Sequence, residues 1–119
     1  MNSKQLCDLA IEALEDIKGI DIKVFDVVNK SSVTDIMVFV SGNTSRQVKA
    51  LADNVALKAK EAGMPALGVE GDDTSEWVLV DLGDVVVHVM QPSVREFYNL
   101  EKLWGEDSPS DTSLAEKNN

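Results

Sequence analysis

Apolar residues recur along the chain with two different periods, and the switches between them mark out the elements. Leu6, Leu9, Ala10, Ala13, Leu14 and Ile17 are spaced as one face of a helix. Asn2 or Ser3 can cap its start, and Gly19 is placed to stop it after about Lys18. Residues 22–28 alternate in part and are rich in β-branched side chains, which predicts a strand, and Asn29-Lys30-Ser31-Ser32 is turn material. Ile36-Met37-Val38-Phe39-Val40 has no polar face, as expected of a central strand covered on both sides. A second helix follows, capped by Asn43 or Thr44, with Val48, Leu51, Ala52, Val55 and Ala59 as its buried stripe and Gly63 at its end.

Residues 66–70 read as a short strand, and 76–81 and 85–90 as two strands joined at Leu82-Gly83 with hairpin spacing. Pro92 opens a last helix over 93–104, whose buried stripe would be Val94, Phe97 and Trp104. Beyond Gly105 the composition turns to Ser, Asp, Glu, Lys and Asn, so residues 105–119 read as a disordered acidic tail on a 1–104 domain. The expected fold is a single α/β domain, order α-β-β-α-β-β-β-α, with three helices on a mixed five-stranded sheet. The helix between the second and third strands suits a right-handed crossover.

Side chains alternate faces along a strand. With the turn at Leu82-Gly83, Val78, Val80, Val85, Val87 and Val89 form one wholly β-branched face, which belongs in the core. The other face collects Trp77, Leu79, Asp81, Asp84, Val86, His88 and Met90, with Trp77 opposite His88. A tryptophan among aliphatics and acids is the composition of an interface centre, and Leu82 at a turn tip would have no core to enter. Tyr98 can extend the same patch. The alternative is that the last helix folds over this face and Trp77 is ordinary core.

Charge adds a partner class. The chain of 119 residues carries 21 acids against 11 bases, a formal net of −10, which disfavours direct nucleic-acid readout. Between Lys60 and Arg95 there is no Lys or Arg, yet Glu61, Glu70, Asp72, Asp73, Glu76, Asp81 and Asp84 all fall there. That stretch is either a solvated face or a docking surface for a basic partner. No run of apolar residues is long enough for a membrane helix, the first helix is acidic rather than leader-like, and Cys7 stands alone; a cytoplasmic location and no membrane partner are expected.

Candidate chemistry is thin. The 41–46 segment, Ser-Gly-Asn-Thr-Ser-Arg, lies between strand and helix where amides can hold an anion, but it lacks the phosphate-loop lysine. Glu70 and Asp72, with the 41–45 loop, would be the carboxylate pair and helix start of a metal-dependent nucleotidyltransferase, the rival reading; loop-like Gly71 weakens it. His88 and Cys7 are single residues of their kind and suit packing better than catalysis. No cofactor or metal is expected, and a dimeric scaffold using the Trp77 face is a third option.

Five motifs in order carry a resemblance. They are Ser31-Ser32-Val33-Thr34-Asp35, Ser41-Gly42 with Ser45-Arg46-Gln47-Val48, and Gly68-Val69-Glu70-Gly71. Glu76-Trp77-Val78-Leu79-Val80-Asp81 with Gly83-Asp84-Val85-Val86-Val87-His88-Val89, and Arg95-Glu96-Phe97-Tyr98 with Leu100-Glu101 and Leu103-Trp104, complete the set. Together they resemble the ribosomal silencing factor (Iojap-like) family from about Lys4 to Trp104. The resemblance implies a nucleotidyltransferase-like fold without the working carboxylates, and a non-enzymatic repressor of translation. It implies binding to the large ribosomal subunit through the fourteenth large-subunit protein, which blocks subunit joining during starvation, and it allows a homodimer. By position, the partner-contacting residues would be Trp77, Leu82, Met90 and Tyr98, with Glu70, Asp73, Asp81 and Asp84 meeting basic side chains.

Overall fold

A computed structural model describes residues 1–32, 34–71 and 74–104. Along the chain these form α1 (Ser3–Asp16), β1 (Ile20–Asp26), β2 (Ile36–Ser41), α2 (Ser45–Glu61), β3 (Gly68–Gly71), β4 (Trp77–Asp81), β5 (Val85–Met90), α3 (Pro92–Tyr98) and α4 (Glu101–Trp104). Asn2 caps α1 in a reciprocal box with Gln5, and the Thr44 hydroxyl accepts from the Gln47 amide at the start of α2. Both pairings satisfy amides that have no partner within the first helical turn.

The end of α1 is built differently from the expectation. Lys18, not Gly19, takes the left-handed conformation (φ 61°), and the amides of Lys18 and Gly19 return to the carbonyls of Glu15 and Leu14. Gly19 is needed for space, because a Cβ there would lie 2.7 Å from Val40 Cγ2.

The strands form one sheet in the order β1-β2-β5-β4-β3. β2 and β5 run parallel at its centre and the other neighbours are antiparallel, so the sheet is mixed. β3 therefore runs with β2, and α2 is the crossover between them. Helices α1 and α2 cover one face. Their stripes, including all five expected α2 residues, close on Val38, Val40, Val78, Val80, Val85, Val87 and Val89. This is the main core, and valine dominates because a β-branched residue fits a pleated surface under a helix.

Two expectations need correction here. The hairpin turn lies one residue later than Leu82-Gly83: Leu82 donates to Val85, Gly83 and Asp84 form the loop, and Trp77 pairs with Met90 rather than His88. Gly83 supplies the positive φ (92°) that a tight hairpin needs, so the chain turns where that residue sits. Both strands keep their face assignments, but Leu82 now falls on the helix-covered face and is 5% exposed, within the core. It is not an apolar residue stranded at a tip.

The last helix is two. Asn99 adopts the left-handed conformation (φ 48°, ψ 47°) and closes α3, so the described residues form four helices where three were expected. Asn tolerates that conformation better than most residues. The face of α3 also differs. Phe97 is 80% exposed, whereas Arg95 is buried at 7%. The 105–119 tail lies outside the described residues, as does the Trp104 side chain.

Candidate docking site

The face opposite α1 and α2 carries the residues that the sequence singled out. β-strand alternation places Phe25 (β1), Met37 and Phe39 (β2), Val86 and His88 (β5), and Trp77 and Leu79 (β4) together there. Their rings form a row across the sheet. Phe25 meets Phe39 edge-on at 5.7 Å, Phe39 stacks on His88 at 4.9 Å and 9°, and Trp77 tilts against His88 at 6.1 Å. Tyr98 of α3 lies 5.1 Å from the indole, and Phe97 stands edge-on to Tyr98 at 5.0 Å.

Exposure grades along this row. Phe39, Met90 and His88 are buried at 0%, 1% and 6%, Trp77 is half-buried, and Tyr98 and Phe97 are 53% and 80% exposed. Trp77 is thus neither wholly open nor core. It lines a cleft of about 430 Å³ between β4 and α3, together with Glu76, Ser93, Val94, Phe97 and Tyr98. An exposed Phe–Tyr pair beside a half-buried Trp is an apolar surface in search of cover. Met90 pairs with Trp77 across the ladder, and at 1% exposure it offers nothing to the outside.

His88 is held by its neighbours. The Trp77 Nε1–H donates to His88 Nδ1 at 3.2 Å, and burial pushes the imidazole down to about 4, so the ring is neutral at pH 7. Burial likewise raises the Cys7 thiol above its ordinary range, which leaves a packed sulfur rather than a nucleophile.

Glu70 and Glu76 flank the aromatic row on its β4–β3 side, and Asp81 and Asp84 stand at the hairpin turn, at the other end of β4 from Trp77. Glu70 is exposed on edge strand β3 opposite Leu79, and Glu76 is exposed beside Trp77. Asp81, half-buried, accepts from the Gly83 amide at 2.8 Å and stabilises the turn, and Asp84 is exposed at the hairpin tip. Glu61 is elsewhere, on α2 beside Lys58, so the seven acids do not all share one sector. Asp72 and Asp73 lie outside the described residues.

The parts of the rival enzyme do not converge. β5 and β4 lie between β2 and β3, which separates Ser41 from Glu70 by three strand spacings, roughly 14 Å. The 41–45 loop spends its groups internally: the Asn43 amide and Thr44 hydroxyl bond Gln47, and Ser41 bonds Arg95.

Sequence reasoning missed that arginine. Arg95 donates to both oxygens of Glu101 (2.7 and 3.1 Å) and to Ser41 Oγ (3.0 Å), with Asp21 at 3.8 Å. A bidentate pair satisfies a buried guanidinium, and here it ties α3 and α4 to the end of β2. The presence of Glu six residues after Arg was the available signal, but an (i, i+6) pair meets only because Asn99 breaks the helix.

The chain matches the family model "Ribosomal silencing factor during starvation" over residues 1–119. It is 53% identical to the ribosomal silencing factor of Chromobacterium violaceum, over 92% of this chain and 90% of that protein. It is 50% identical to the one from Haemophilus influenzae, over 83% and 97%. A mouse protein named for mitochondrial assembly of the ribosomal large subunit is 34% identical over 82% of this chain and 44% of its own length. A crystal structure of a Chromobacterium violaceum protein, 53% identical, superposes with a TM-score of 0.87 over 92% of both chains. The same α/β fold, and a family match from end to end, make this chain a member of the ribosomal silencing factor family.

Proposed function

We propose that this protein represses translation by occupying the large ribosomal subunit, on its fourteenth large-subunit protein, and so excludes the small subunit. Repression by occupancy needs no catalytic step and no cofactor. Acting on ribosomes, the protein works in the cytoplasm. The observation that carries the reading is the graded aromatic row ending in the exposed Phe97–Tyr98 pair, flanked by acids. Ribosomal proteins are basic, so Glu70, Glu76, Asp81 and Asp84 supply complementary charge, with Asp73 as a further acid from the same stretch. Trp77, Tyr98 and Phe97 form the apolar centre; Leu82 and Met90 are buried members of the β4–β5 hairpin that carries Trp77 and do not themselves face the partner. An interface of about 1,600 Å² with two or three aromatic anchors is sufficient for a stable complex. The mouse relative's name, which refers to the large subunit, favours the same partner class.

Light scattering during mixing of purified subunits tests this. The wild-type protein should suppress joining, and Tyr98→Ala or Trp77→Ala, still folded, should suppress it far less. Equal suppression by all three proteins would remove the aromatic face from the mechanism.

A further inference from the structure

The Trp77 indole cannot be treated as a free anchor, because its polar edge is already engaged. Its N–H points inward and donates to His88 Nδ1 at 3.2 Å. The acceptor is itself fixed, since the His88 ring lies parallel to Phe39 at 4.9 Å and 9°, on a strand at the centre of the sheet. Tyr98 also leans on the indole, at 5.1 Å and 44°, and Phe97 stands against Tyr98. Phe39, His88, Trp77 and Tyr98 thus form a line of contacts from buried sheet to exposed helix.

We propose that His88 is the positioning residue of the docking face: by accepting the indole N–H it fixes the Trp77 ring as the seat on which Tyr98 and the partner rest. This rests on the docking role proposed above. A neutral imidazole has one acceptor and one donor nitrogen, and burial keeps this one neutral, so Nδ1 is free to accept while Nε2 carries the proton. Without that acceptor a half-buried indole has to turn its N–H toward water, and the seat under Tyr98 turns with it.

The test has a readout without ribosomes and one with them. In amide-type NMR spectra the Trp77 indole N–H, assigned with Trp104→Phe, should exchange slowly in the wild-type protein. His88→Phe keeps a ring against Phe39 but removes the acceptor, and should shift this resonance and speed its exchange about tenfold. His88→Asn, whose amide oxygen stands near the position of Nδ1, should preserve the resonance in large part. Co-sedimentation with large subunits should weaken about tenfold in His88→Phe, be largely restored in His88→Asn, and show no further loss when His88→Phe is added to Trp77→Phe.

A wild-type indole proton exchanging as fast as an exposed one overturns the proposal with no variant needed. So does His88→Phe binding as tightly as wild type, or weakening binding equally on the Trp77→Phe background. If instead Trp77→Phe and Trp77→Ala both bind like wild type, the docking role of the indole fails first, and the positioning role falls with it.

Discussion

The neutral, buried His88 makes a quantitative statement about acid stability. Burial lowers it from the ordinary 6.5 to about 4. At about 1.4 kcal/mol per pKa unit, this is about 3 kcal/mol of difference between the folded and unfolded imidazole. The sign follows from proton counting. Between pH 6.5 and 4 the unfolded chain binds a proton at this site that the folded chain refuses, so stability rises with pH across that window. The contribution is fully present above pH 6.5 and lost as pH falls, roughly half of it by pH 5.3. The perturbation is His88→Phe, and urea unfolding of both proteins at several pH values from 7.5 to 4 gives the difference in stability at each. Whatever the substitution does at neutral pH, the difference should move by about 3 kcal/mol in favour of the variant on going to pH 4. Parallel stability curves for the two proteins would refute the reasoning, since they would mean that the folded imidazole takes up its proton as the unfolded one does.

Three further outcomes follow from other parts of the structure. Leu82→Ala should cost about 2–4 kcal/mol of unfolding free energy, as expected for a buried leucine; an unchanged urea midpoint would return that side chain to the surface. Arg95→Met should destabilise by about 2–3 kcal/mol, because Glu101 loses its partner, and adding Glu101→Leu should recover much of it; a double variant no better than the single one argues against the pair as the tie between α3 and α4. Association with large subunits should slow as ionic strength rises, and a rate indifferent to salt would remove the acidic flank from the encounter.

Much of this fold was legible because its core is periodic. The α2 stripe repeats at helical spacing without a gap, and β5 is bounded by a turn and a proline, so both came out of the pattern directly. The two faces of the hairpin were also readable, since alternation survives an error in the turn's position when both strands keep their parity. Leu82 shows the limit. Its burial depends on whether the turn is centred on residues 82–83 or 83–84, and a glycine's φ decided that.

The α3 region was misread for a different reason. Helical periodicity over 93–104 assumes one unbroken helix, and Asn99 breaks it; within α3 itself the face that packs is the one carrying Arg95, and Phe97 points outward. A buried arginine looks polar in any hydrophobic pattern; only its partners Glu101 and Ser41 reveal that it is structural. The Trp77 surface was foreseen in kind but not in form, because graded exposure from Phe39 to Phe97 arises from rings covering one another across four elements.

The central claim is that the Phe97–Tyr98–Trp77 surface meets a basic protein of the large subunit. A photo-crosslinking amino acid at position 97, the most exposed of the three, tests it on intact large subunits, with position 57 on the opposite helical layer as the control. The predicted product from position 97 is an adduct to the fourteenth large-subunit protein, absent from position 57. Crosslinks from position 97 only to ribosomal RNA or to other proteins, or equal yields from both positions, would contradict it.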